Sequence, residues 1–224
     1  MVEVIVFAEG QSDEQFIKRV VAPALRQLNL FLKPEILKTS QQSRGGAITF
    51  DRLKFHARNA LRQRPNAILT TFLDLYGLDT DFPGFGSAQT FTDVYRRAKC
   101  IELAMHAAIV NYVGCQPNRF IPHVQPYEFE GLLFSNPAAL VNVEPSWEQC
   151  LGQLEKVRSA FPTPEHINDS YETKPSNRLE RILTPKYKKT RHGPLIAHAI
   201  GIRNIEAECM HFKAWVDRLR GLSR

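Results

Sequence analysis

The sequence predicts an α/β fold, in which helices flank a central, mostly parallel sheet. Residues 2–8 and 66–73 are short apolar segments, as expected of strands that are buried on both faces of a parallel sheet. Around them, apolar residues recur at the spacing of amphipathic helices. Strands that alternate with such helices are typical of an α/β protein.

The elements of the first half are predicted from helix signals and helix breakers. The first strand passes into a helix at Ser12, which has Gln15 three residues later in the pattern of a capping box. The helix is predicted over 15–30, and Pro23 inside it should kink or break it. The next predicted elements are a short strand over 35–39, a polar loop over 41–46 and a helix over 48–64.

The second half begins with the buried strand over 66–73, which ends at Asp74. Another strand is predicted over 119–125, but Pro122 weakens it because proline has no N–H group for a sheet. The other predicted elements are a long loop over 77–90 and helices over 92–113, 147–161, 176–183, 195–200 and 212–219.

The charge distribution divides the chain into two parts. The formal net charge is +6, but residues 174–224 hold 12 Lys and Arg against 4 Asp and Glu, which leaves 17 against 19 for the rest. We predict an α/β core over 1–135 and a basic, helical C-terminal extension over 136–224, packed together as a single structural unit. Basic side chains neutralise phosphates, so this extension favours nucleic acid as a partner.

Composition excludes several other classes of protein. With 43% hydrophobic residues, the 224-residue chain can form one sizeable core. The longest apolar region, 101–115, is interrupted by Glu102, His106 and Asn111, which argues against a membrane span. The four cysteines form no CxxC motif and the N-terminus has no secretion signal. We therefore expect a cytoplasmic protein without a membrane partner.

Acidic side chains follow the predicted strands. Glu9 follows the first strand, Asp74 the second, and Glu128 and Glu130 follow the strand over 119–125. Sites in open α/β sheets lie at the carboxyl ends of strands, and Mg²⁺ prefers a few carboxylates together with water and substrate phosphate. Only one of the last two glutamates is expected to bind, and Glu128 is preferred. The predicted ligands, for Mg²⁺ or for Mn²⁺ in its place, are Glu9, Asp13, Asp74, Glu128 and Glu130.

The basic segment near residue 189 is predicted to contact the phosphates of a nucleic acid. Two metal ions could activate water and stabilise the departing oxygen of a phosphodiester. Lys189, Lys188 or Lys186 could oppose the charge that develops on the phosphate. We expect catalysis to depend on Glu9, Asp74 and Lys189. The residues predicted to bind nucleic acid are Lys186, Lys188, Lys189, Arg191 and Arg178.

Other common catalytic motifs are absent from the sequence. It contains no HExxH zinc motif, no GxSxG nucleophile elbow and no P-loop. Nothing local therefore predicts a zinc peptidase, a serine hydrolase or an enzyme that hydrolyses nucleotides by itself. His192, His198 and His211 are predicted to be surface or capping residues rather than metal ligands.

Five segments resemble a known family in their order and spacing. They are EGQSDE at 9–14, LTTFLDLYGL at 69–78, YEFEGLLF at 127–134, PSNR at 175–178 and YKK at 187–189. In this combination the chain resembles the prokaryotic family called domain of unknown function 4276, over nearly its whole length. That family is similar to TOPRIM domains and to the nuclease domain of overcoming-lysogenization-defect proteins, and such domains often accompany a separate ATPase in phage-defence loci.

The resemblance implies a Mg²⁺-dependent nuclease with a TOPRIM-like fold and a separate ATPase as a partner. Glu9 would be the glutamate of the first strand, and Asp74 would stand where TOPRIM domains have an Asp-x-Asp pair. Here Asp74 is followed by Leu75 and Tyr76, so a second ligand must come from elsewhere in the chain. Tyr127 stands where the family commonly has a histidine, so no role for an imidazole follows at that position.

Two other functions are compatible with the same residues. A degenerate acidic site could hold a cation in a binding module without catalysis, while the basic extension contacts nucleic acid or a partner protein. Acids at strand ends also occur in phosphotransfer and nucleotide-binding domains. Cleavage assays distinguish the first alternative from a nuclease, and binding of a small nucleotide would indicate the second.

Overall fold

A parallel sheet forms the centre of the molecule, which the computed structural model describes over residues 1–37, 47–168 and 170–223. Within these residues the sheet has five strands: β1 (Val2–Ala8), β2 (Leu30–Ile36), β3 (Ile68–Asp74), β4 (Phe120–Ile121) and β5 (Val124–Gln125). The strand order is β2-β1-β3-β4, β5 also pairs with β3, and each of these pairings is parallel. The predicted α/β fold is confirmed.

Helices account for most of the remaining chain. Those of the first half are α1 (Gln11–Phe16), α2 (Ala22–Arg26), α3 (Phe50–Gln63), α4 (Phe85–Ala88) and α5 (Val94–Val113). Those of the second half are α6 (Ala138–Val143), α7 (Leu151–Ser159), α8 (Pro175–Ile182), α9 (Lys189–Ile200), α10 (Ile202–Glu208) and α11 (Met210–Arg220). Across the described ranges, no helix combines the length and the apolar character that a bilayer crossing requires.

The two faces of the sheet contribute to two hydrophobic clusters. Along β1, Val4 and Val6 belong to one cluster, whereas Ile5 and Phe7 belong to the other. This division follows from the strand geometry, in which successive side chains point to opposite faces. The first cluster includes residues of α1, α2 and the C-terminal helices, and the second includes residues of α3 and α5. β1 is therefore apolar along most of its length because both of its faces are covered.

The C-terminal helices contribute large side chains to the first cluster. The rings of Phe212 and Phe16 lie 5.7 Å apart, and those of Trp215 and Phe72 lie 5.4 Å apart. Trp215 also donates a hydrogen bond from Nε1 to Oγ1 of Thr70 in β3, at 2.8 Å. Residues on both sides of the predicted boundary at residue 135 thus belong to the same hydrophobic cluster.

The first helix begins earlier than predicted. Its N-cap is Gly10, and the helix starts at Gln11, so the prediction that Ser12 is the N-cap was wrong. Asp13 explains the difference, because its carboxylate reaches back and accepts a hydrogen bond from the N–H of Gly10 at 2.9 Å. A side-chain acceptor at the third helical position can therefore cap the helix after a glycine.

The predicted break at Pro23 takes the form of a change in helix type. A π-helical stretch, Ile17–Val21, joins α1 to α2, and Pro23 lies in the first turn of α2. Proline lacks the N–H that a continuous α-helix would bond to the preceding turn, and the π-helical stretch ends two residues before it. The chain continues as a helix from α1 to Arg26.

Two strand predictions need correction. The second strand is β2, Leu30–Ile36, rather than 35–39, and it contains Pro34 opposite Val6. Proline is tolerated there because β2 is an edge strand of the sheet. Residues 38 and 39, and the loop predicted over 41–46, lie outside the described residues.

The strand predicted over 119–125 is split into β4 and β5 on either side of Pro122. The side chain of Thr71 spans the gap, because its Oγ1 donates to the carbonyl of His123 and accepts from the N–H of His123, each at 2.9 Å. This local exchange replaces the ladder hydrogen bonds that a proline interrupts.

Candidate metal centre at the carboxyl edge of the sheet

The cleft that contains four of the five predicted metal ligands lies where the chain order of the strands reverses. β1 is central, β2 lies on one side of it and β3 on the other, so the connections that leave β1 and β3 diverge and open a crevice at their carboxyl ends. The cleft has a volume of about 520 Å³. Its lining residues are Glu9, Gly10, Asp13, Ala47, Asp74, Tyr76, Gly77, Glu128, Tyr171, Lys174 and Lys189.

Glu9 directly follows β1, and its side chain lies against the backbone of Gly77. A Cβ atom at residue 77 would lie only 2.0 Å from Oε2 of Glu9. This oxygen is buried and has no hydrogen-bond partner among the described residues. The missing side chain of Gly77 therefore leaves the space that the Glu9 carboxylate occupies.

Asp13 brings a second carboxylate to the cleft from the first turn of α1. Its Oδ2 accepts the N–H of Gly10, while its buried Oδ1 has no hydrogen-bond partner within the described part of the chain. The residue is only 2% exposed. A buried carboxylate oxygen without a partner is costly unless a cation or a proton compensates it.

Asp74, at the end of β3, faces a lysine. Its Oδ1 accepts the N–H of Phe129 at 2.8 Å, and its Oδ2 lies 3.7 Å from Nζ of Lys189. The same Nζ lies 3.1 Å from Oε2 of Glu130. Lys189 is the first residue of α9, so the start of this helix delivers an ammonium group between the two carboxylates.

Glu128 and Glu130 follow β5, which ends at Gln125, so acidic residues come after a third strand as predicted. They lie at the beginning of a 3₁₀ helix, Phe129–Ser135, for which Glu128 is the N-cap. Tyr127 precedes it with a φ of 54°, in the left-handed region that few non-glycine residues adopt. This turn directs Glu128 to the cleft, while Glu130 is fully buried and accepts a hydrogen bond from the hydroxyl of Tyr187.

Both oxygens of Glu128 already have protein partners. Oε1 lies 2.7 Å from Nζ of Lys174, and Oε2 accepts the N–H of Ser176 at 3.0 Å. Ser176 lies in the first turn of α8, where backbone N–H groups have no partner within the helix. Glu128 therefore anchors α8 beside the cleft, and it could bind a metal only by giving up these contacts.

Burial dominates the electrostatics of the cluster. It raises the pKa of Asp13 to about 7, with further upward contributions from Glu9 and Glu130 and an opposing one from Lys189. Burial likewise raises the pKa of Glu9, Asp74 and Glu130, and Lys189 opposes each shift. A cluster of this kind retains protons near neutral pH, and a divalent cation would displace them on binding.

Lys189 responds in the opposite direction. Burial lowers its pKa, but the carboxylates of Glu130, Asp74 and Asp13 raise it by more, so the net shift is upward. Its ammonium group therefore stays charged and neutralises part of the carboxylate cluster.

The other predicted basic residues lie near this centre but do not line the cleft. Lys186, Lys188 and Arg191 are exposed around the start of α9. Arg178 instead donates from Nε to the carbonyl of Thr173 at 2.6 Å, and its guanidinium lies over the ring of Phe161. Contact of these residues with nucleic acid stays a prediction.

A family match covers almost the entire chain, including every residue of the cleft. The model of the family described as Domain of unknown function (DUF4276) matches residues 8–220. The chain belongs to this family. Neither the curated proteins nor the solved structures contain a match.

The residues of this cleft that were not predicted include Gly77, Tyr171 and Lys174. Lys174 lies 4.6 Å over the ring of Tyr171, whose side chain is largely exposed. Neither residue belongs to a motif with a chemical meaning of its own. Their position at the cleft depends on a tertiary contact, because Lys174, directly before α8, pairs with Glu128.

A second cluster in this DUF4276 member could hold a metal ion. It consists of Glu102, His123 and His211, whose ligand atoms all lie within 4.8 Å of one another. The prediction for His211 placed it at the surface or in a cap, but only 12% of its side chain is exposed. No local motif indicates this cluster, because its members come from α5, the turn between β4 and β5, and α11.

Proposed function

We propose that this protein is a Mg²⁺-dependent, TOPRIM-like nuclease that cleaves or nicks phosphodiester bonds of nucleic acid. One observation carries the proposal: Glu9, Asp13 and Asp74, from three separate positions in the sequence, line one cleft at the switch point of a parallel sheet. Carboxylates that share one largely buried cleft are costly. The oxygens of these three residues do not all lie within 4.8 Å of one another, as the ligand atoms of Glu102, His123 and His211 do, and a divalent cation that drew them together would offset the cost of their burial.

The donor atoms fit a hard cation. All are carboxylate oxygens, and two of them, Oε2 of Glu9 and Oδ1 of Asp13, are buried without a hydrogen-bond partner among the described residues. Mg²⁺ and Mn²⁺ prefer oxygen ligands and retain several waters. Gly77 contributes by leaving room for the Glu9 carboxylate. We assign Glu9, Asp13 and Asp74 as ligands, with Glu130 and Glu128 next to them.

The lysines of the cleft supply the positive charge that a phosphate requires. Lys189 is 40% exposed, so its ammonium group can turn from Asp74 and Glu130 toward a phosphate once a cation occupies the carboxylates. There it would oppose the negative charge of the transition state. A bound divalent cation would supply a water of lowered pKa and a positive charge beside the scissile phosphate.

The surroundings of the cleft also suit a nucleic acid. Lys186, Lys188 and Arg191 are exposed beside Lys189, where they would neutralise neighbouring phosphates. Tyr171 is 64% exposed and offers an aromatic face on which an unpaired base could stack.

We also propose that the nuclease works with a separate ATPase in prokaryotic defence. The family resemblance supports this partner, and the chain itself contains no P-loop. If the ATPase controls access to the cleft, cleavage should increase when both proteins and ATP are present.

Cleavage assays with matched variants test the proposal. Purified protein is incubated with plasmid, single-stranded DNA or tRNA in Mg²⁺ or Mn²⁺, alone and with the cognate ATPase. Glu9→Gln and Asp74→Asn each remove a ligand charge and should reduce the cleavage rate by about 100-fold or more. Glu14→Gln is the matched control, because Glu14 lies next to Asp13 on α1 but pairs with Lys18 at the surface.

Two outcomes would overturn the nuclease proposal. Cleavage that survives both Glu9→Gln and Asp74→Asn would show that the activity belongs to another site or to a contaminant. Failure of the wild-type protein to cut any substrate, even with the ATPase, would favour a binding module instead. One observation supports that rival: Lys189 and Lys174 already pair with carboxylates of the cleft.

A further inference from the structure

The cluster of Glu102, His123 and His211 differs from the carboxylate cleft in its donor atoms and in its position. None of the three residues lines that cleft; they line another cavity, of about 220 Å³, together with Lys99, Ala214, Trp215 and Arg218. Two imidazoles and one carboxylate form a donor set that suits zinc and other borderline metals better than Mg²⁺.

We propose that Glu102, His123 and His211 bind one zinc ion through a carboxylate oxygen and two imidazole nitrogens. Three protein ligands leave the fourth position of a tetrahedral ion open, and the adjoining cavity has room for a water or a small anion there. This site is independent of the proposed nuclease function.

The distances are close to those of a zinc site. Oε1 of Glu102 lies 2.8 Å from Nε2 of His211 and 3.7 Å from Nδ1 of His123. Bonds of about 2.1 Å in a tetrahedral site place neighbouring donor atoms about 3.4 Å apart. Movements of less than 1 Å would therefore accommodate the ion. The separation from His123 is too long for a hydrogen bond, so no direct hydrogen bond joins Glu102 to the ring of His123.

Surrounding groups orient the ligands in the manner of established zinc sites. The other ring nitrogen of His123 lies 3.3 Å from Oε1 of Gln125, an acceptor that would favour the tautomer with a free Nδ1. The N–H of Val124 donates to Oε1 of Glu102 at 3.0 Å, and the backbone N–H of His211 donates to Glu165. These contacts hold the three ligands without an ion.

Aromatic packing further restricts His123. Its ring stacks on Phe72, His211 and Trp215 at centroid distances of 5.4, 5.1 and 4.9 Å. This packing holds the ring with its Nδ1 3.7 Å from Oε1 of Glu102. Without metal, His211 and Glu102 form a hydrogen-bonded pair, which zinc would replace.

The positive charges near the site affect its open position. Lys99 lies 3.9 Å from Oε2 of Glu102, and Arg218 lines the same cavity. Zinc with one carboxylate and two neutral imidazoles retains a positive charge, and these side chains add to it. An anionic fourth ligand, such as hydroxide or phosphate, would therefore be favoured over a neutral one.

Metal analysis of the full-length protein tests the proposal. Metal-free protein is loaded with Zn²⁺ and desalted, and its zinc content is measured by elemental mass spectrometry. Its affinity for Zn²⁺ is measured by competition with a chromophoric chelator. We expect one zinc per chain, with affinity at least about tenfold weaker in His211→Gln and Glu102→Gln. His198→Gln, which changes an exposed histidine, should retain wild-type affinity.

Further measurements separate this site from the carboxylate cleft and from a loss of folding. Asp74→Asn should retain the zinc, so the result does not depend on whether the nuclease proposal holds. The wild-type protein loaded with Co²⁺ should show the strong visible absorption of a tetrahedral site. No retained zinc, equal affinity in His211→Gln, loss of zinc in Asp74→Asn or a weak, octahedral Co²⁺ spectrum would each overturn the proposal.

Discussion

At the scale of single residues, the carboxylate cleft depends on a glycine as much as on its acids. Glu9 follows β1 and Gly77 follows β3, and their atoms meet because the two strands are neighbours. Gly77 therefore determines the position of a charged group to which it makes no polar contact. It ends a 3₁₀ turn, Leu75–Gly77, directly after Asp74.

Gly77→Ala should weaken binding of a divalent cation at the cleft. The added Cβ would lie 2.0 Å from Oε2 of Glu9, so the carboxylate must leave its present position in the cleft. We expect at least a tenfold loss of Mn²⁺ affinity by calorimetric titration, similar to the loss of an orienting contact. Gly86→Ala is the matched control, because a Cβ at that position meets open space. Equal Mn²⁺ affinity in both variants would refute this role of Gly77.

At the scale of elements, the start of α9 links a buried histidine to the cleft. The N–H of Lys188 donates to Nδ1 of His192 at 3.0 Å, and Lys189 is the next residue along the chain. Nδ1 must be unprotonated to accept this bond. The position of the Lys189 backbone therefore depends on the protonation state of His192.

The contribution of His192 to the free energy of unfolding should fall as the pH decreases below about 6.5, the usual pKa of histidine. Burial lowers the pKa of His192, and Arg191 and Lys188 lower it further. The unfolded chain then takes up the proton first, so this contribution is highest above pH 6.5 and decreases toward the lowered pKa. We expect a loss of roughly 0.5–1.5 kcal/mol, the net value of one hydrogen bond.

Urea denaturation between pH 5 and 8 measures this dependence. His192→Asn places a non-titrating acceptor near the position of Nδ1, so the wild type should lose free energy of unfolding relative to this variant as the pH decreases from 8 to 5. His198→Asn, on an exposed position of the same helix, should retain the wild-type dependence. If His192→Asn shows the same pH dependence as the wild type, the linkage is wrong.

At the scale of the whole molecule, the C-terminal helices complete the core over the sheet. Phe212 is fully buried and its ring lies 5.7 Å from Phe16 and 5.7 Å from Trp215. Phe16 in turn contacts Phe72 of β3 and Phe129 beside the cleft. The proposed cation ligands near the N-terminus and a helix near the C-terminus thus pack against the same apolar cluster.

Phe212→Ala should reduce the free energy of unfolding by about 3–5 kcal/mol, because it leaves a cavity among packed aromatic rings. Guanidinium denaturation monitored by tryptophan fluorescence and by circular dichroism measures the change. Met210→Ala, at a largely exposed position of the same helix, should change stability by less than about 0.5 kcal/mol. If both variants are equally stable, α11 does not form part of the common core.

The sequence predictions were correct where an element depends on a local pattern of residues, and less accurate where it depends on an unusual local contact or on its place in the sheet. The strand before Glu9, the strand before Asp74 and the helix after residue 92 depend on local apolar patterns, and the structure contains all three. The position of Gly10 as N-cap was missed because Asp13 is a less common partner in that role. The predicted position of β2 was wrong because Pro34 argues against a strand, and a strand that contains proline is tolerated only at the edge of a sheet.

The sequence by itself determined the parallel α/β class and the acids that would follow β1 and β3, because strand periodicity and chain position are local properties. Only the tertiary structure decided that Glu130 is buried against Lys189 and that Lys174 pairs with Glu128. It also decided that Glu102, His123 and His211 lie close together. These contacts join residues far apart in the chain, so they depend on helix packing and strand order. No local pattern of residue types specifies those distances.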